Sequence, residues 1–330
     1  MLETVAQRNA LIASIEKARG SSLIAYFLHD NAMIADDALP QLYDKLQALG
    51  KREKIDLLLY TRGGVTEVCW RALNLVREYC DHLGVIVGTR VMGAGTLLAL
   101  GANEIVMGPL SELGSMESAR RHPLLPRDDA GQQIPVTLGE IKALGLGAVS
   151  LEATDSKAAE DGTSAGSFNP LFSYIHPLAI GNLLQADALS RDVTRKALQM
   201  HIPQDDNEKI ERLVDLFNGG FHSPIYTVGR TELQDVGLSV TVANKELWGQ
   251  IWSLVQLYHA SLYNDRPDQA TPGSFFRYVC VIESQGRSTG LRQVYTHVDG
   301  MERVTQMGWE TAIKGPVPGP SFGPGGMSNN

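Results

Sequence analysis

Two turns between a strand and a helix contain the residues whose spacing could support chemistry. The first is TRGG at residues 61–64, and the second is GAGT at residues 93–96; each follows a short apolar run. Where such a strand leads into a helix, proteins often place a nucleophile, or backbone N–H groups that stabilise charge on a carbonyl oxygen. Glycine suits these turns because it lets the backbone approach a ligand without a Cβ clash. The pattern indicates a site that binds or attacks a carbonyl group.

Alternating apolar runs and amphipathic segments must position these turns. A helix is predicted over residues 1–18, with Gly20 as its stop. The elements that follow are a strand at 22–29, a helix at 36–49, a strand at 54–60, a helix at 65–79, a strand at 85–87, a helix at 93–102 and a strand at 104–107. Strands that alternate with helices imply parallel pairing with right-handed crossovers. We therefore predict an α/β fold.

The second half of the chain has a looser pattern. Residues 109–133 indicate a long polar excursion, and Thr137 is the expected cap of a short helix at 136–144. Residues 153–167 are polar and indicate a loop. Helices are predicted at 170–185, 190–201, 206–217, 228–236 and 244–263, an extended segment at 237–240, and a β-hairpin at 274–298. The Pro- and Gly-rich end is predicted to be disordered.

Composition excludes several functional classes. The chain has 330 residues and a formal net charge of -8, so it lacks the basic face expected of a general nucleic-acid binder. It contains no apolar run of about 18 residues, so we expect no transmembrane helix, and its charged first twenty residues argue against a signal peptide. Three cysteines without metal-ligand spacing suit a reducing cytoplasm. Nucleotide and zinc motifs are missing, so we expect no cofactor and no metal.

Three motifs together resemble those of a known superfamily. They are TRGG at 61–64, GAGTLLALGA at 93–102 followed by EIVM at 104–107, and TEL with VGL between 231 and 238. In this order they resemble the Clp-protease/crotonase superfamily, and within it the serine dehydrogenase proteinases and signal peptide peptidase A-like serine peptidases. The resemblance implies a repeated β-β-α superhelix of stacked, mostly parallel sheets with outer helices. The β-hairpin predicted at 274–298, which the resemblance does not cover, adds a small C-terminal β-containing subdomain to this fold.

The resemblance assigns roles to the residues of the two turns. The family's first motif is like S-P-G-G and its second like S-A-G-T, with the nucleophilic serine before A-G-T. This chain has Gly93 at that position, and glycine has no side chain with which to attack a carbonyl. By the same likeness Gly64, together with Gly63, and Ala94 would supply the N–H groups of an oxyanion hole. Each such donor is typically worth roughly 3 kcal/mol in the transition state.

The resemblance leaves the general base open. The Clp branch has a histidine after the next strand, where this chain has Gly108, so that triad is absent. The other branch uses a lysine further on, for which Lys142 is the first candidate and Lys157 the second. Both are more simply interpreted as solvated surface lysines. His176 is a third candidate, although a packing histidine is the simpler interpretation.

Other polar side chains could replace the nucleophile or the base. Thr96 lies one helical turn after Gly93 and is expected to be packed, and Ser111 and Ser115 follow the next strand as turn residues. His122 and His222 are expected to serve surface and turn roles. None of these residues is a strong substitute for a serine at position 93.

Three functions remain open. The first is a serine-peptidase-like protein from a lineage that hydrolyses peptide bonds, either alone or with a partner, here an inactive variant or a natural pseudoenzyme. The second is a non-catalytic oligomeric binding or scaffold subunit. The third is a crotonase-type enzyme acting on acyl thioesters, which needs the oxyanion hole but no serine. The TRGG and AGT motifs fit peptidases better than acyl-thioester enzymes.

The resemblance also implies partners and domains. We expect a peptide or protein substrate and a homo-oligomer, which would be a trimer, a hexamer or a ring. The resemblance also allows a regulatory or ATPase partner. The predicted domains are an N-terminal helix at 1–20, a Clp/crotonase-like domain at 21–243, a C-terminal helix and β-hairpin region at 244–313, and a disordered tail at 314–330.

Overall fold

The described part of the chain has a mixed α/β architecture. The computed structural model describes residues 2–116, 122–129, 131–143, 175–221, 223, 225–268, 271–298 and 301–311. Its helices are α1 (Leu2–Arg19), α2 (Ala38–Leu49), α3 (Thr66–Glu78), α4 (Thr96–Leu100), α5 (Leu138–Ala143), α6 (Pro177–Gln199), α7 (Asn207–Asp215), α8 (Arg230–Asp235) and α9 (Lys245–Leu262). Its strands are β1 (Ser22–Leu28), β2 (Arg52–Thr61), β3 (Cys80–Val91), β4 (Glu104–Met107), β5 (Glu112–Gly114), β6 (Thr227–Val228), β7 (Val240–Val242), β8 (Arg266–Pro267), β9 (Phe275–Ser284), β10 (Arg287–Val298) and β11 (Met301–Thr311).

The described strands all belong to one hydrogen-bonded sheet. Its main order is β11-β10-β9-β1-β2-β3-β4-β7, with β5 paired to the end of β3, β6 to β5, and β8 to β9. The pairs from β1 through β2, β3 and β4 to β7 are parallel, whereas β9, β10 and β11 join antiparallel beyond β1. The predicted α/β class with a mostly parallel central sheet is confirmed.

Helices cover both faces of the central strands. In β1, Ile24, Tyr26 and Leu28 pack into the larger core, with residues of α2, α3, α4, α6 and α7. The alternate residues Leu23, Ala25 and Phe27 pack into the second core, with residues of α1 and α9. Because side chains of a strand point alternately to opposite faces, a strand between two helical layers must be apolar throughout. This explains the continuous apolar run in the sequence.

Several elements differ from their predictions. The strand predicted at 85–87 is longer in the structure, where it forms the twelve-residue β3. Pairing with β2 and β5 extends it at both ends. The helices predicted at 170–185 and 190–201 are replaced by the single helix α6, since no helix-breaking residue separates them. The polar excursion contains β5, whose three residues pair with β3 and β6. Pairing with these two strands, and not the residue pattern of the segment itself, makes β5 a strand.

The C-terminal strands differ in extent and in placement. The predicted hairpin is three strands, β9, β10 and β11, and β9 pairs with β1 from Ile24 to Leu28. These strands therefore continue the central sheet, and the described residues do not set them apart as a separate sheet. The loop predicted at 153–167 and the tail predicted at 314–330 lie outside the described residues.

Candidate active site

The TRGG turn is closed by its own threonine. Thr61, at the carboxyl end of β2, accepts a hydrogen bond on Oγ1 from the Gly63 N–H and donates one to the Gly63 carbonyl, each 3.0 Å long. Gly63 has a φ of +127°, a backbone conformation that L side chains rarely adopt. The sequence assigned Gly63 an oxyanion-hole role together with Gly64. The Gly63 N–H is instead bonded within the turn.

Gly64 is the residue of this turn whose amide faces away from the neighbouring backbone. Ile34 donates its N–H to the Gly63 carbonyl at 3.0 Å and accepts the Val65 N–H at 2.9 Å. In a parallel bridge of this kind the middle residue directs its own N–H and C=O to the opposite side. A Cβ on Gly64 would lie 2.4 Å from the Ile34 carbonyl oxygen, so only glycine fits.

The GAGT turn lies directly against the TRGG turn. Met92 donates its N–H to the Thr61 carbonyl at 3.0 Å, which fixes the end of β3 beside the end of β2. Residues Gly93–Gly95 then form one 3₁₀ turn that leads into α4. Gly93 has a φ of +53°, and a Cβ placed there would lie 3.4 Å from both the Arg62 carbonyl oxygen and the Gly63 Cα. Position 93 is therefore a sharp strand-to-helix turn of the kind on which nucleophiles stand.

Ala94 provides a second amide beside the TRGG turn. It is the second residue of the 3₁₀ turn, where an N–H group has no partner within its own helix. A Cβ built on Gly63 would lie 3.6 Å from the Ala94 nitrogen, so the two turns are in contact. Gly64 and Ala94 both line one groove, and their role as oxyanion-hole donors stays a prediction.

An open groove of about 420 Å³ runs over the two turns. Its lining residues are Asp30, Asn31, Ala32, Met33, Arg62, Gly63, Gly64, Val65, Thr66, Glu67, Gly93 and Ala94. The walls come from the segment after β1, from the first turn of α3 and from the turn before α4. All of these follow the carboxyl ends of parallel strands, where open α/β sheets bind their ligands.

A charged pair forms one rim of the groove. The Arg62 Nε lies 3.0 Å from Asp30 Oδ1, and Tyr60 donates its hydroxyl to the same oxygen at 2.9 Å. Partial burial raises the pKa of Asp30, but the hydrogen bonds from Arg62 and Tyr60 outweigh it and hold this pKa below its usual value. Asp30 therefore stays ionised near neutral pH. The sequence prediction missed Asp30, although its position directly after the first buried strand is a usable signal.

An imidazole lies behind this rim. The His29 ring stacks on Tyr263 at 4.3 Å between centroids, and its Nδ1 accepts the Asn31 N–H at 3.1 Å. Burial first, and then the nearby Arg277, lower the pKa of His29. It is therefore neutral at pH 7 and serves as an acceptor for the loop. Asp30 donates its backbone N–H to the Tyr263 hydroxyl at 3.1 Å, which ties the same loop to the end of α9.

The hydroxyl groups near Gly93 are bonded inside the fold. Thr96 Oγ1 donates to the Gly114 carbonyl at 3.0 Å, Ser111 Oγ to Val87 at 2.7 Å, and Ser115 Oγ to Phe217 at 2.9 Å. All three hydroxyl-bearing residues are buried. The structure supports the interpretation of these residues as packing and turn residues.

At position 108, where a Clp-type histidine would stand, the structure has no room for a side chain. A Cβ on Gly108 would lie 2.0 Å from the Trp248 ring. Trp248 belongs to α9, which packs against the sheet in the second core. An aromatic ring therefore occupies the space next to Gly108.

Among the described histidines that could replace a base, neither His176 nor His122 lines the groove. Lys142 lies in α5, but its side chain is outside the described residues, as are Lys157 and His222 entirely. His176 is exposed and caps α6 by accepting the Leu178 N–H on Nδ1 at 3.2 Å, so it is not the packing histidine of the simpler interpretation. His122 similarly accepts the Leu124 N–H. Thr137 caps α5 as predicted, since its Oγ1 accepts the Glu140 N–H.

Among the described residues, no group of three or more His, Cys, Asp or Glu side chains is arranged to hold a metal ion. In the same residues, no helix has the length and apolar character required to cross a membrane.

Comparison with known proteins returns proteases and peptidases among the solved structures. A mutant of a membrane-bound stomatin-specific protease is 18% identical, with 70% of this chain and 85% of that chain covered and a TM-score of 0.32. ClpP1 from Listeria monocytogenes is 10% identical, with 68% and 94% covered and a TM-score of 0.33. The ClpP protease catalytic domain from Plasmodium falciparum is 11% identical, with 72% and 91% covered and a TM-score of 0.35.

No family model matches the chain, and no curated protein matches it. Proteases of the Clp type and of the stomatin-specific type, which the motifs resemble, are thus among the solved structures similar to this chain. At this identity and TM-score the likeness carries no argument about activity.

Proposed function

We propose that the protein binds extended polypeptide segments in the groove over the two glycine turns and does not cleave them. The observation that carries this proposal is Gly93. It has the backbone conformation of a nucleophile turn, lines the groove and lacks a side chain. Without a hydroxyl or thiol at this place, the acyl-enzyme step of a serine peptidase has no attacking atom.

The remaining parts of the groove support peptide binding. In this proposal the amides of Gly64 and Ala94, two residues that line the groove, donate hydrogen bonds to one carbonyl oxygen of a bound chain. The rim carries Asp30 paired with Arg62, and Glu67 lies in the first turn of α3. These groups can hydrogen-bond the backbone and the polar side chains of a bound peptide. The proposal combines the pseudoenzyme and scaffold alternatives, because both retain the groove and lose the chemistry.

The acyl-thioester alternative uses the same two amides. A crotonase-type reaction needs an oxyanion hole and no serine, which Gly64 and Ala94 would satisfy. Its prediction differs from ours in one measurable respect, since a thioesterase or hydratase would turn over an acyl-CoA substrate. Turnover of an acyl-CoA by the native chain would replace our proposal with that alternative.

The test of the proposal combines binding with covalent labelling. Fluorescently labelled unfolded casein is titrated with the native chain and anisotropy is measured, while casein cleavage and fluorophosphonate labelling are followed in parallel. We expect saturable binding with neither cleavage nor labelling. In Gly93→Leu the new side chain enters the groove, and affinity should fall by at least about tenfold, a change of about 1.4 kcal/mol. The matched control is Gly181→Leu on the exposed face of α6, which should bind as the native chain does.

A second variant tests whether the chain lacks only the nucleophile of a serine peptidase or lacks the general base as well. Gly93→Ser restores the hydroxyl at the turn. Labelling and cleavage by this variant would mean that a base is still present and that only the nucleophile has been lost. Binding without labelling would mean that the base is absent too. Casein cleavage by the native chain itself would contradict the proposal.

We infer in addition that the protein acts as a homo-oligomer in a reducing compartment. Strand β11 is an edge of the sheet and is exposed along almost its whole length, including Val304 and Met307. Such an edge favours pairing with another chain. The three buried cysteines, Cys69, Cys80 and Cys280, are free thiols, which suits the cytoplasm. Light scattering after size-exclusion chromatography measures the oligomeric state directly, and a monomer at micromolar concentration would contradict the inference.

A further inference from the structure

The groove wall formed by residues 30–33 is held by two side chains. These residues follow β1 and line the groove over the glycine turns. Asp30 donates its backbone N–H to the Tyr263 hydroxyl at 3.1 Å, and Asn31 donates its N–H to the Nδ1 atom of His29, also at 3.1 Å. The position of the wall therefore depends on the side chains of His29 and Tyr263.

His29 and Tyr263 form one stacked unit. Their ring centroids are 4.3 Å apart, and the His29 residue is only 8% exposed. The backbone of His29 is fixed as well, because its N–H is donated to the Val279 carbonyl of β9 at 2.8 Å. The imidazole is thus held in one place, with its Nδ1 against the Asn31 amide.

The hydrogen bond to Asn31 requires a neutral imidazole. A neutral ring has one nitrogen that donates and one that accepts, whereas an imidazolium has two donors and no acceptor. Since Nδ1 accepts the Asn31 N–H, the single proton of the neutral ring lies on Nε2. A proton added to Nδ1 would set two N–H groups against each other. The wall is therefore held at Asn31 in only one protonation state of His29.

Charged and titratable side chains surround His29 from the elements packed against it. They are Arg277 of β9, Asp265 ahead of β8, His259 of α9, Tyr263 after α9, Tyr60 of β2, and Asp30 and Arg62 at the groove rim. Both carboxylates are engaged, since Asp30 Oδ1 lies 3.0 Å from Arg62 Nε and Asp265 Oδ1 lies 2.7 Å from Arg277 Nε. A proton added to His29 would thus place a third cation beside two guanidinium groups.

Burial and charge both oppose protonation of His29. Burial first, and then Arg277, lower its pKa, against smaller opposite effects of Asp30 and Asp265. A released wall would return the ring to solvent and its pKa to the usual value of about 6.5. Because the held wall has the lower pKa, it is fully favoured above about pH 6.5 and loses its advantage as the pH falls through the His29 pKa.

We propose that His29 is a positioning residue of the groove, whose neutral imidazole holds the 30–33 wall in the form that binds peptide and whose protonation releases the wall and the peptide. This inference rests on the proposed peptide binding and adds a regulation that binding alone does not require. The imidazole acts through the Asn31 amide and does not itself line the groove. Acidification below neutral pH is the signal to which the groove responds.

The experiment measures the wall and the binding separately in the full chain. The protection of the Asn31 amide against hydrogen exchange, relative to the intrinsic rate at each pH, reports on the wall without peptide. Fluorescence anisotropy gives the affinity for labelled peptides made of Ala, Val, Leu, Ser and Gln with blocked ends, whose charge does not change with pH. We expect both to fall by at least about threefold from about pH 7.5 to about pH 5.5, above the range in which ordinary carboxylates titrate.

Three variants make the result specific to His29. In His29→Asn the side-chain oxygen can accept the N–H two residues on and does not titrate, so binding at about pH 7.5 should persist and the pH response should vanish. His29→Leu has no acceptor and should bind weakly at both pH values. The matched control is His176→Asn, because the exposed His176 accepts the Leu178 N–H in the same way outside the groove, and its pH response should equal that of the native chain.

Two outcomes would overturn the proposal. One is a pH response that survives in His29→Asn or vanishes in His259→Gln, which would assign the titration to another group. The other is equal protection of Asn31 at both pH values. Absence of peptide binding at every pH, with the Asn31 response present, would contradict the proposed function and support His29 as the residue that holds the wall. Urea denaturation at about pH 7.5 checks that each variant is folded.

Discussion

At residue 93 the backbone keeps the form of a reactive turn and the side chain is missing. A φ of +53° is a conformation that glycine adopts freely and that other residues adopt at a cost. In enzymes with a nucleophile at such a turn, that cost is part of the site. Gly93 therefore relieves strain at the same position at which it removes chemistry. The stability of variants at this position should report on the strain.

We predict that Gly93→Ala destabilises the protein by about 1–2 kcal/mol, the cost of a left-handed conformation for a residue with a Cβ. The space is sufficient, since the nearest atoms to the new Cβ lie 3.4 Å away, so the cost is conformational. The free energy of unfolding in urea measures it. The control is Gly181→Ala. Gly181 lies at an exposed position between the ends of α6, and no atom lies within 4 Å of a Cβ built there. This substitution should stabilise the protein by up to about 1 kcal/mol. Equal shifts in the two variants would contradict the prediction.

Single residues also show how far the sequence could predict the site. The resemblance assigned Gly64, Gly93 and Ala94 to one site, and all three residues line the groove. It could not show that Thr61 Oγ1 takes the Gly63 amide, or that Trp248 covers Gly108. Both facts depend on tertiary packing, which the local sequence does not encode. The sequence pattern does not point to Asp30, because the predicted strand ends at His29.

At the scale of elements, a network of charges joins α1 to three strands. Arg19 at the end of α1 donates to Asp56 of β2 at 2.8 Å and to Glu104 of β4. Glu104 also accepts from Lys54 at 3.1 Å and from Thr241 of β7. A single carboxylate thus links the first helix with β2, β4 and β7. Burial raises the pKa of Glu104, but the hydrogen bonds from Arg19, Thr241 and Lys54 outweigh burial and lower it to about 2.

This lowered pKa predicts acid sensitivity. The folded-state pKa lies below the unfolded value of about 4.3, so the stabilisation from Glu104 is complete above about pH 5 and is lost as pH falls towards about 2. Urea denaturation of the native chain should therefore show a loss of stability across this window. In Glu104→Gln that loss should be smaller, and stability at neutral pH should be lower.

The control for the acid prediction is a carboxylate on the surface. Glu112 lies 3.3 Å from Arg90 with both side chains 40% exposed. Pairs of this kind contribute little to stability, so Glu112→Gln should follow the native chain at every pH. If Glu104→Gln retained the full acid-dependent loss, other carboxylates would be responsible for it.

A second ion pair joins elements at the two ends of the chain. Arg8 of α1 and Glu283 of β9 are 2.8 Å apart with side chains 1% exposed, and Tyr258 of α9 donates to the same carboxylate. Arg8→Met would leave a buried carboxylate without its cation. We expect a loss of roughly 3–5 kcal/mol in the free energy of unfolding.

The double variant tests the origin of that loss. In Arg8→Met/Glu283→Gln no charge of this pair remains buried, and Tyr258 can still hydrogen-bond the amide. Stability should therefore recover in part relative to Arg8→Met. A double variant less stable than the single variant would show that the pair itself, and not the unpaired charge, supplies the energy.

At the scale of the whole molecule, the sequence predicted the parallel centre of the sheet better than its edges. Strands β1, β2 and β4 are apolar runs that lie between two helical layers, and such runs are recognisable by themselves. The short strand β5 and the attachment of β9 to β1 depend on pairing between distant residues. The domain boundary predicted at 243 came from the motif match alone. The pairing of β9 with β1 crosses that boundary.

We therefore predict that the two sides of residue 243 unfold together. Helix α9 packs in the second core with Leu23, Ala25 and Phe27 of β1, and β9 pairs with the same strand, so neither part keeps its core without the other. Differential scanning calorimetry should show one transition for residues 2–311, with equal calorimetric and van't Hoff enthalpies. A chain ending at residue 243 should lack a cooperative transition, because β1 would lose its antiparallel neighbour and Arg8 its carboxylate. Two separate transitions in the full chain, or a cooperative transition in the shortened one, would instead support independent domains.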